Sequence, residues 1–196
     1  TVDADYFDDA LMIGDSRTVG LKEYGTLGNA TFYCDSGLSI YDLENKKIMV
    51  DGIGKVSISD LLASHTYHKI YLMLGINELG YDVTQTFEKY ASFVNFLQTM
   101  QPDAIIYVEA NLHVTAQRSD SDKTFNNANI NAFNQKIATL ADHRTIYYLD
   151  INELFDDANG NLDTQYSNDN AHPLGKYYAV WCDWLMEHAV VRDMKS

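Results

Sequence analysis

Ser16 stands in LMIGDSRTVGL, directly behind an apolar run, while Asp169 and His172 stand three apart in SNDNAHPLGKYY near the other end of the chain. A serine hydroxyl is a weak nucleophile until a base takes its proton, and an imidazole oriented by a carboxylate is a base suited to that task. One tight turn is enough to bring the Asp169 carboxylate to the His172 ring. Gly37, in CDSGLS, offers a backbone N–H with no side chain in the way, and Asn77, in GINELG, offers a side-chain amide. With the N–H of Ser16 itself, these are three donors of the kind needed where negative charge develops on a carbonyl oxygen. The expected chemistry is acyl transfer, with Ser16 as nucleophile, His172 as base and Asp169 as its orienting partner. Singly, Ser16 reads as a helix cap and His172 as a surface residue. Their combination with Gly37 and Asn77 at successive strand ends carries the inference.

Those residues need a scaffold that gathers them. Apolar runs at Ala10 to Gly14, Ala30 to Gly37, Lys69 to Leu74, Ala104 to Ala110 and Thr145 to Ile151 read as five strands. Helices are expected from about Arg17 to Tyr24, from a Ser59 cap to Ser64, from a Thr84 cap to before Pro102, around Ile130 to Leu140, and from about Leu174 to Val190. KKIMVDGIGKVSI alternates around Asp51 and Gly52, a pair that favours a two-residue hairpin turn. This alternation predicts one α/β domain over residues 1–196: a three-layer α/β/α sandwich on a five-stranded parallel sheet, with a small β-hairpin insertion. Ligands of such sheets sit beyond the carboxyl ends of the strands. The site should therefore be lined by residues 14–17, 34–39, 75–81 and 111–125 and by the stretch before the last helix.

IGDSRTVG, DSGLS, GINELG and DNAHPLGKYYAVW resemble blocks I, II, III and V of the SGNH hydrolases, the GDSL esterase and lipase family. The resemblance runs from about Phe7 to the last helix, with the blocks in the family's order. It implies a flavodoxin-like fold, Ser16, Asp169 and His172 as catalytic triad, and Ser16, Gly37 and Asn77 as oxyanion hole. Two positions depart from the family pattern: Arg17 replaces the Leu of the family's name, and Glu78 replaces the Asp that usually follows the block III Asn. Their opposite charges predict an ion pair pinning two site loops together, against the alternative of a solvated Arg and an independent Glu.

Composition narrows the partners. The formal charge is −14, from 28 acidic and 14 basic residues, which disfavours nucleic acid and anionic membranes. Cys34 and Cys182 have no metal or redox spacing and read as reduced thiols. DDANGNLD lacks the spacing of an EF-hand, and His65 and His68 make a poor metal pair, so neither a metal nor an organic cofactor is expected. His113, in the long fourth site loop, and Tyr81 are candidates to touch substrate or organise loops, and Tyr41, Tyr81 and Tyr166 are candidate platforms for a sugar ring. No run is long and apolar enough for a transmembrane helix, so no direct membrane insertion is expected. The chain begins at Thr1, which suggests a trimmed N-terminus and an extracellular or cell-envelope location, with the cytoplasm as alternative. The expected substrate is a short acyl ester, acetyl above all, of a carbohydrate or similar small alcohol. A lysophospholipase, thioesterase or acyltransferase on the same residues, or a non-catalytic binding module, are the competing readings.

Overall fold

The computed structural model describes residues 1–192. Its centre is a sheet of five parallel strands: β1 (Ala10–Gly14), β2 (Thr31–Cys34), β5 (Lys69–Met73), β6 (Ile105–Glu109) and β7 (Ile146–Leu149), in the order β2-β1-β5-β6-β7. Strands β1 and β6 are buried along their whole length, so they read as continuous apolar runs rather than alternating ones.

The period of two still sorts their side chains. Leu11, Ile13, Ile70, Leu72, Ile106 and Val108 belong to one core layer, with α2 (Ile58–Ser64), α3 (Val83–Met100) and α5 (Asn127–Ala138) contributing Leu61, Tyr90, Leu97, Phe133 and Ile137. Ala10, Met12, Tyr71, Met73, Ile105 and Tyr107 belong to the other, with α1 (Ser16–Tyr24), α6 (Asn152–Phe155) and α7 (Tyr177–Glu187) contributing Leu21, Phe155, Trp181 and Leu185. The result is the expected three-layer sandwich.

The chain leaves β1 to build β2 on one side, then crosses to β5 on the other. In a doubly wound sheet the crevice between two such strands is where ligands bind. Ser16 follows β1 and Asn77 follows β5, so the topology sets both at its mouth.

Local expectations are corrected in five places. The hairpin of β3 (Lys47–Val50) and β4 (Gly54–Ser57) pairs Val50 with Gly54, which leaves three turn residues, not two. Gly52 and Gly54, at φ 77° and 115°, take up the left-handed backbone this longer turn needs. Helix α2 is capped by Ser57 rather than Ser59, and α3 by Asp82 rather than Thr84; in each, an earlier side chain reaches the third following N–H. The long segment after β6 contains a short helix, α4 (Ala116–Ser121), with Thr115 as its cap. The last helix is shorter than its apolar pattern, because residues 170–176 form the turns that present His172. Among the described residues no helix is long and apolar enough to cross a membrane.

Candidate active site

Asp15 caps α1: its Oδ1 accepts from the N–H of Arg17 at 3.3 Å, which starts the helix at Ser16. Gly14 is required just before, because a Cβ there would lie 1.9 Å from Thr18 Oγ1 and 2.8 Å from the carbonyl of Met73. Ser16 is thus held at the junction of strand and helix. Its Oγ lies 2.9 Å from Nε2 of His172, across 156 residues of sequence.

The other half is a self-contained turn. Oδ1 of Asp169 accepts from the N–H groups of His172 (2.7 Å) and Ala171 (2.9 Å) and from Ser167 Oγ (3.1 Å), while Oδ2 lies 2.8 Å from His172 Nδ1. Burial opposes ionisation of Asp169, but these donors outweigh it and draw the carboxyl down to about 2. An ionised carboxylate can only accept, so the Nδ1 proton of His172 points to Asp169. Nε2 is then the basic nitrogen and takes the Ser16 hydroxyl as donor. Asn170 completes the turn at φ 68° and is held by Thr115, whose N–H and Oγ1 each donate to it at 3.0 Å.

Asn77 sits in a 3-10 turn (Ile76–Glu78) that leaves β5 through Gly75, at φ 139°. Its Nδ2 donates to the carbonyls of Ser36 (3.2 Å) and Leu38 (3.0 Å), the two peptides flanking Gly37. The N–H of Gly37 donates to Oδ1 of Asp35 at 3.0 Å. Sequence reasoning named these two donors from different loops, and the fold makes the loops neighbours. Both donors are occupied by acceptors of the protein itself.

The pairing of Arg17 with Glu78 does not form. Arg17 is 2% exposed and grips Asp15 instead, Nε to Oδ1 at 2.8 Å and Nη2 to Oδ2 at 2.6 Å, with Nη2 also donating to Asn111 Oδ1 at 2.8 Å. Asp15 wins because it is two residues away on the same helix cap and presents both oxygens to the fork of the guanidinium. Glu78 is buried too, and Oε2 accepts from the N–H of Ile40 at 3.3 Å, so it braces the loop after β2. Burial pushes its carboxyl up to about 8, and does the same to Glu109, which the sequence reading passed over.

His113 and Tyr81 point elsewhere. The His113 ring lies between Asp156 (Nδ1 to Oδ1, 2.9 Å) and Asn131 (Nε2 to Oδ1, 2.6 Å), tying the fourth site loop to α5 and to the turn after α6. Tyr81 stacks on Tyr41 at 4.4 Å between ring centres, which joins the loops after β2 and β5. Tyr166 packs edge-on against Phe155 and Tyr177. None of His113, Tyr81 and Tyr166 lines the cavity at Ser16. That cavity, of about 180 Å³, is bounded by Ser16, Asn77 and His172, by the apolar side chains of Ile76, Leu112, Val114 and Phe125, and by Arg118. The loop over 111–125 was legible as a site loop; the identity of its inward residues was not, because nothing in an irregular segment fixes which residues turn in.

Comparison with known proteins bears on the fold and the family. No curated protein matches the chain. Among solved structures, one from Streptococcus pneumonia named for platelet activating factor superposes with a TM-score of 0.71 at 21% identity, over 92% of this chain and 83% of that one. A GDSL-like lipase from Bacteroides thetaiotaomicron gives 0.68 at 16% identity over 95% and 91%, and the acetyl xylan esterase AlAXEase gives 0.63 at 16% over 92% and 100%. These are likenesses of fold. The sequence profile of the GDSL-like Lipase/Acylhydrolase family matches residues 12–180, which run from within β1 through the rest of the main sheet and include both halves of the site and the cavity between them, and the chain therefore belongs to that family of serine hydrolases.

Proposed function

We propose that the protein is a serine esterase that removes a short acyl group, acetyl above all, from a carbohydrate or similar small alcohol. The observation that carries this reading is the unbroken relay from Ser16 Oγ through His172 to the ionised Asp169. In the reaction, Nε2 of His172 takes the Ser16 proton as Oγ attacks the ester carbonyl. Asp169 stabilises the imidazolium that results. The C–O bond to the alcohol then breaks and His172 gives its proton to the departing oxygen, leaving an acyl-serine. Water, activated by the same nitrogen, hydrolyses it and restores the enzyme.

The N–H groups of Ser16 and Gly37 and the amide of Asn77 serve as oxyanion donors. The oxyanion carries its charge on one oxygen, whereas the Asp35 carboxylate spreads it over two and the Ser36 and Leu38 carbonyls carry none, so it displaces those acceptors from Gly37 and Asn77. The small cavity with its apolar wall favours a short acyl chain, and the likeness to an acetyl xylan esterase supports a carbohydrate ester.

The test is hydrolysis of 4-nitrophenyl esters from acetyl to octanoyl, followed by release of acetate from acetylated xylan oligomers. Ser16→Ala, His172→Ala and Asp169→Asn are each expected to lower kcat by about 10³-fold or more. Wild-type rates no higher than those of Ser16→Ala would refute the esterase reading. Faster turnover of octanoyl than of acetyl esters would refute the short-acyl part of it.

A further inference from the structure

The cavity beside Ser16 is apolar on one wall and carries a guanidinium on its rim, and that cation has no part in the reaction just described. Arg118 sits on α4, whose cap Thr115 is bonded twice to Asn170. Asn170 lies inside the turn from Asp169 to His172. The position of Arg118 is therefore coupled to the base through two short links, rather than left to a mobile loop.

Its side chain is also aimed. The Asp122 carboxylate accepts from the N–H groups of Thr124 and Phe125, both at 2.9 Å, and its other oxygen lies 3.4 Å from Arg118 Nε, within ion-pair range but off-angle for a hydrogen bond. The guanidinium carbon lies 5.7 Å from the centre of the Phe125 ring. These contacts hold the stem and the inner nitrogen. No acceptor among the described residues meets Nη1 or Nη2. Arg17, the other arginine lining this cavity, is 2% exposed, with Nε and Nη2 committed to Asp15 and Asn111 and Nη1 buried without a partner, so its charge is already matched inside the protein.

We propose that Arg118 is a specificity-determining residue that binds an anionic group, a carboxylate or phosphate, carried by the ester substrate. This rests on the esterase reading of the site and adds the substrate's charge to it. A fork of two parallel N–H donors matches the paired oxygens of such a group. On a chain of net charge −14 the surface as a whole repels an anionic ester, so an open guanidinium beside the nucleophile is where such a substrate gains binding energy at the site. Seating the anion there orients the scissile carbonyl towards Ser16.

Two matched ester pairs test the inference and locate the charge. For an anion on the acyl side, 4-nitrophenyl hydrogen succinate is compared with its methyl ester; for one on the alcohol side, 4-acetoxybenzoate is compared with its methyl ester. In one pair, Arg118→Gln is expected to lower the ratio of anionic to neutral kcat/KM by about tenfold or more, chiefly through KM, the size of one charge-assisted hydrogen bond. Arg118→Lys is expected to recover part of it. Raising the salt concentration should shrink the wild-type ratio but not that of Arg118→Gln. Ratios unchanged by Arg118→Gln in both pairs, or rates lost equally for anionic and neutral members, overturn the inference while leaving the esterase reading in place. A wild type inactive on all four esters overturns both.

Discussion

Asp15 and Arg17 form an ion pair sealed from water, with Oδ2 and Nη2 2.6 Å apart and side chains 0% and 3% exposed. Through its second contact, to Asn111, the same guanidinium ties the helix that presents Ser16 to the segment leaving β6. Desolvating two charges is costly, and the cost is offset only while both remain. Replacing Arg17 by Leu, the residue in the family's name, would leave Asp15 charged and alone beside buried Glu78 and Glu109. Arg17→Leu is expected to destabilise the fold by about 3–5 kcal/mol. Arg17→Lys should lose less, because it keeps the charge but not the fork. Urea unfolding midpoints measure both. A loss below about 1 kcal/mol for Arg17→Leu, against that range for a broken buried pair, would mean the pair does not hold the site together.

The same cluster makes stability depend on pH. Burial is the main cause that raises both Glu78 and Glu109 to about 8, from an ordinary carboxyl value of 4.5. Between these values the native protein keeps protons that the unfolded chain has released. The unfolded state binds fewer protons, so stability falls as pH rises through this window and levels off above about 8. Thermal unfolding from pH 5 to 9 should show the wild type falling relative to Glu78→Gln with Glu109→Gln, whose neutral amides cannot titrate. Parallel curves across that range would mean that the two carboxyls are already ionised in the fold.

Sequence reasoning reached the grouping of Ser16, Asp169 and His172 for a physical reason. Ser16, Gly37 and Asn77 each follow an apolar run, and a parallel sheet brings the carboxyl ends of its strands together whatever the loops do. Asp169 and His172 needed no tertiary information, since their contact is made within one turn. Arg17 was misassigned because choosing between two buried carboxylates depends on side-chain geometry: Asp15 reaches the guanidinium from its own helix cap, while Glu78 is turned to the N–H of Ile40. Asn170 gave no warning either, since a left-handed residue and its two bonds to Thr115 depend on a loop 55 positions away. His113 has the right residue type in the right loop, and only burial between Asp156 and Asn131 removes it from the cavity.

Gly75 connects the sheet to the turn that carries Asn77, and it offers a test that removes no polar group. Its φ of 139° is open to glycine and costly for any residue with a Cβ. A Cβ there would also lie 2.6 Å from Asn111 Nδ2 and 2.6 Å from Phe133 Cε2. Both neighbours are pinned, Asn111 by Arg17 and Asn134, and Phe133 in the core. Gly75→Ala must therefore move the turn that carries Asn77. Strain and overpacking together are expected to cost about 2–5 kcal/mol of stability. Misplacing the Asn77 amide should lower kcat on a 4-nitrophenyl ester by up to about 10²-fold, with a smaller change in KM, as expected for a donor used in the transition state. Gly80→Ala is the control, since the nearest atom to its added Cβ is Thr124 Cγ2 at 3.8 Å, an ordinary contact. If Gly75→Ala matches Gly80→Ala in unfolding midpoint and kcat, then neither the left-handed exit from β5 nor the packing behind it positions Asn77.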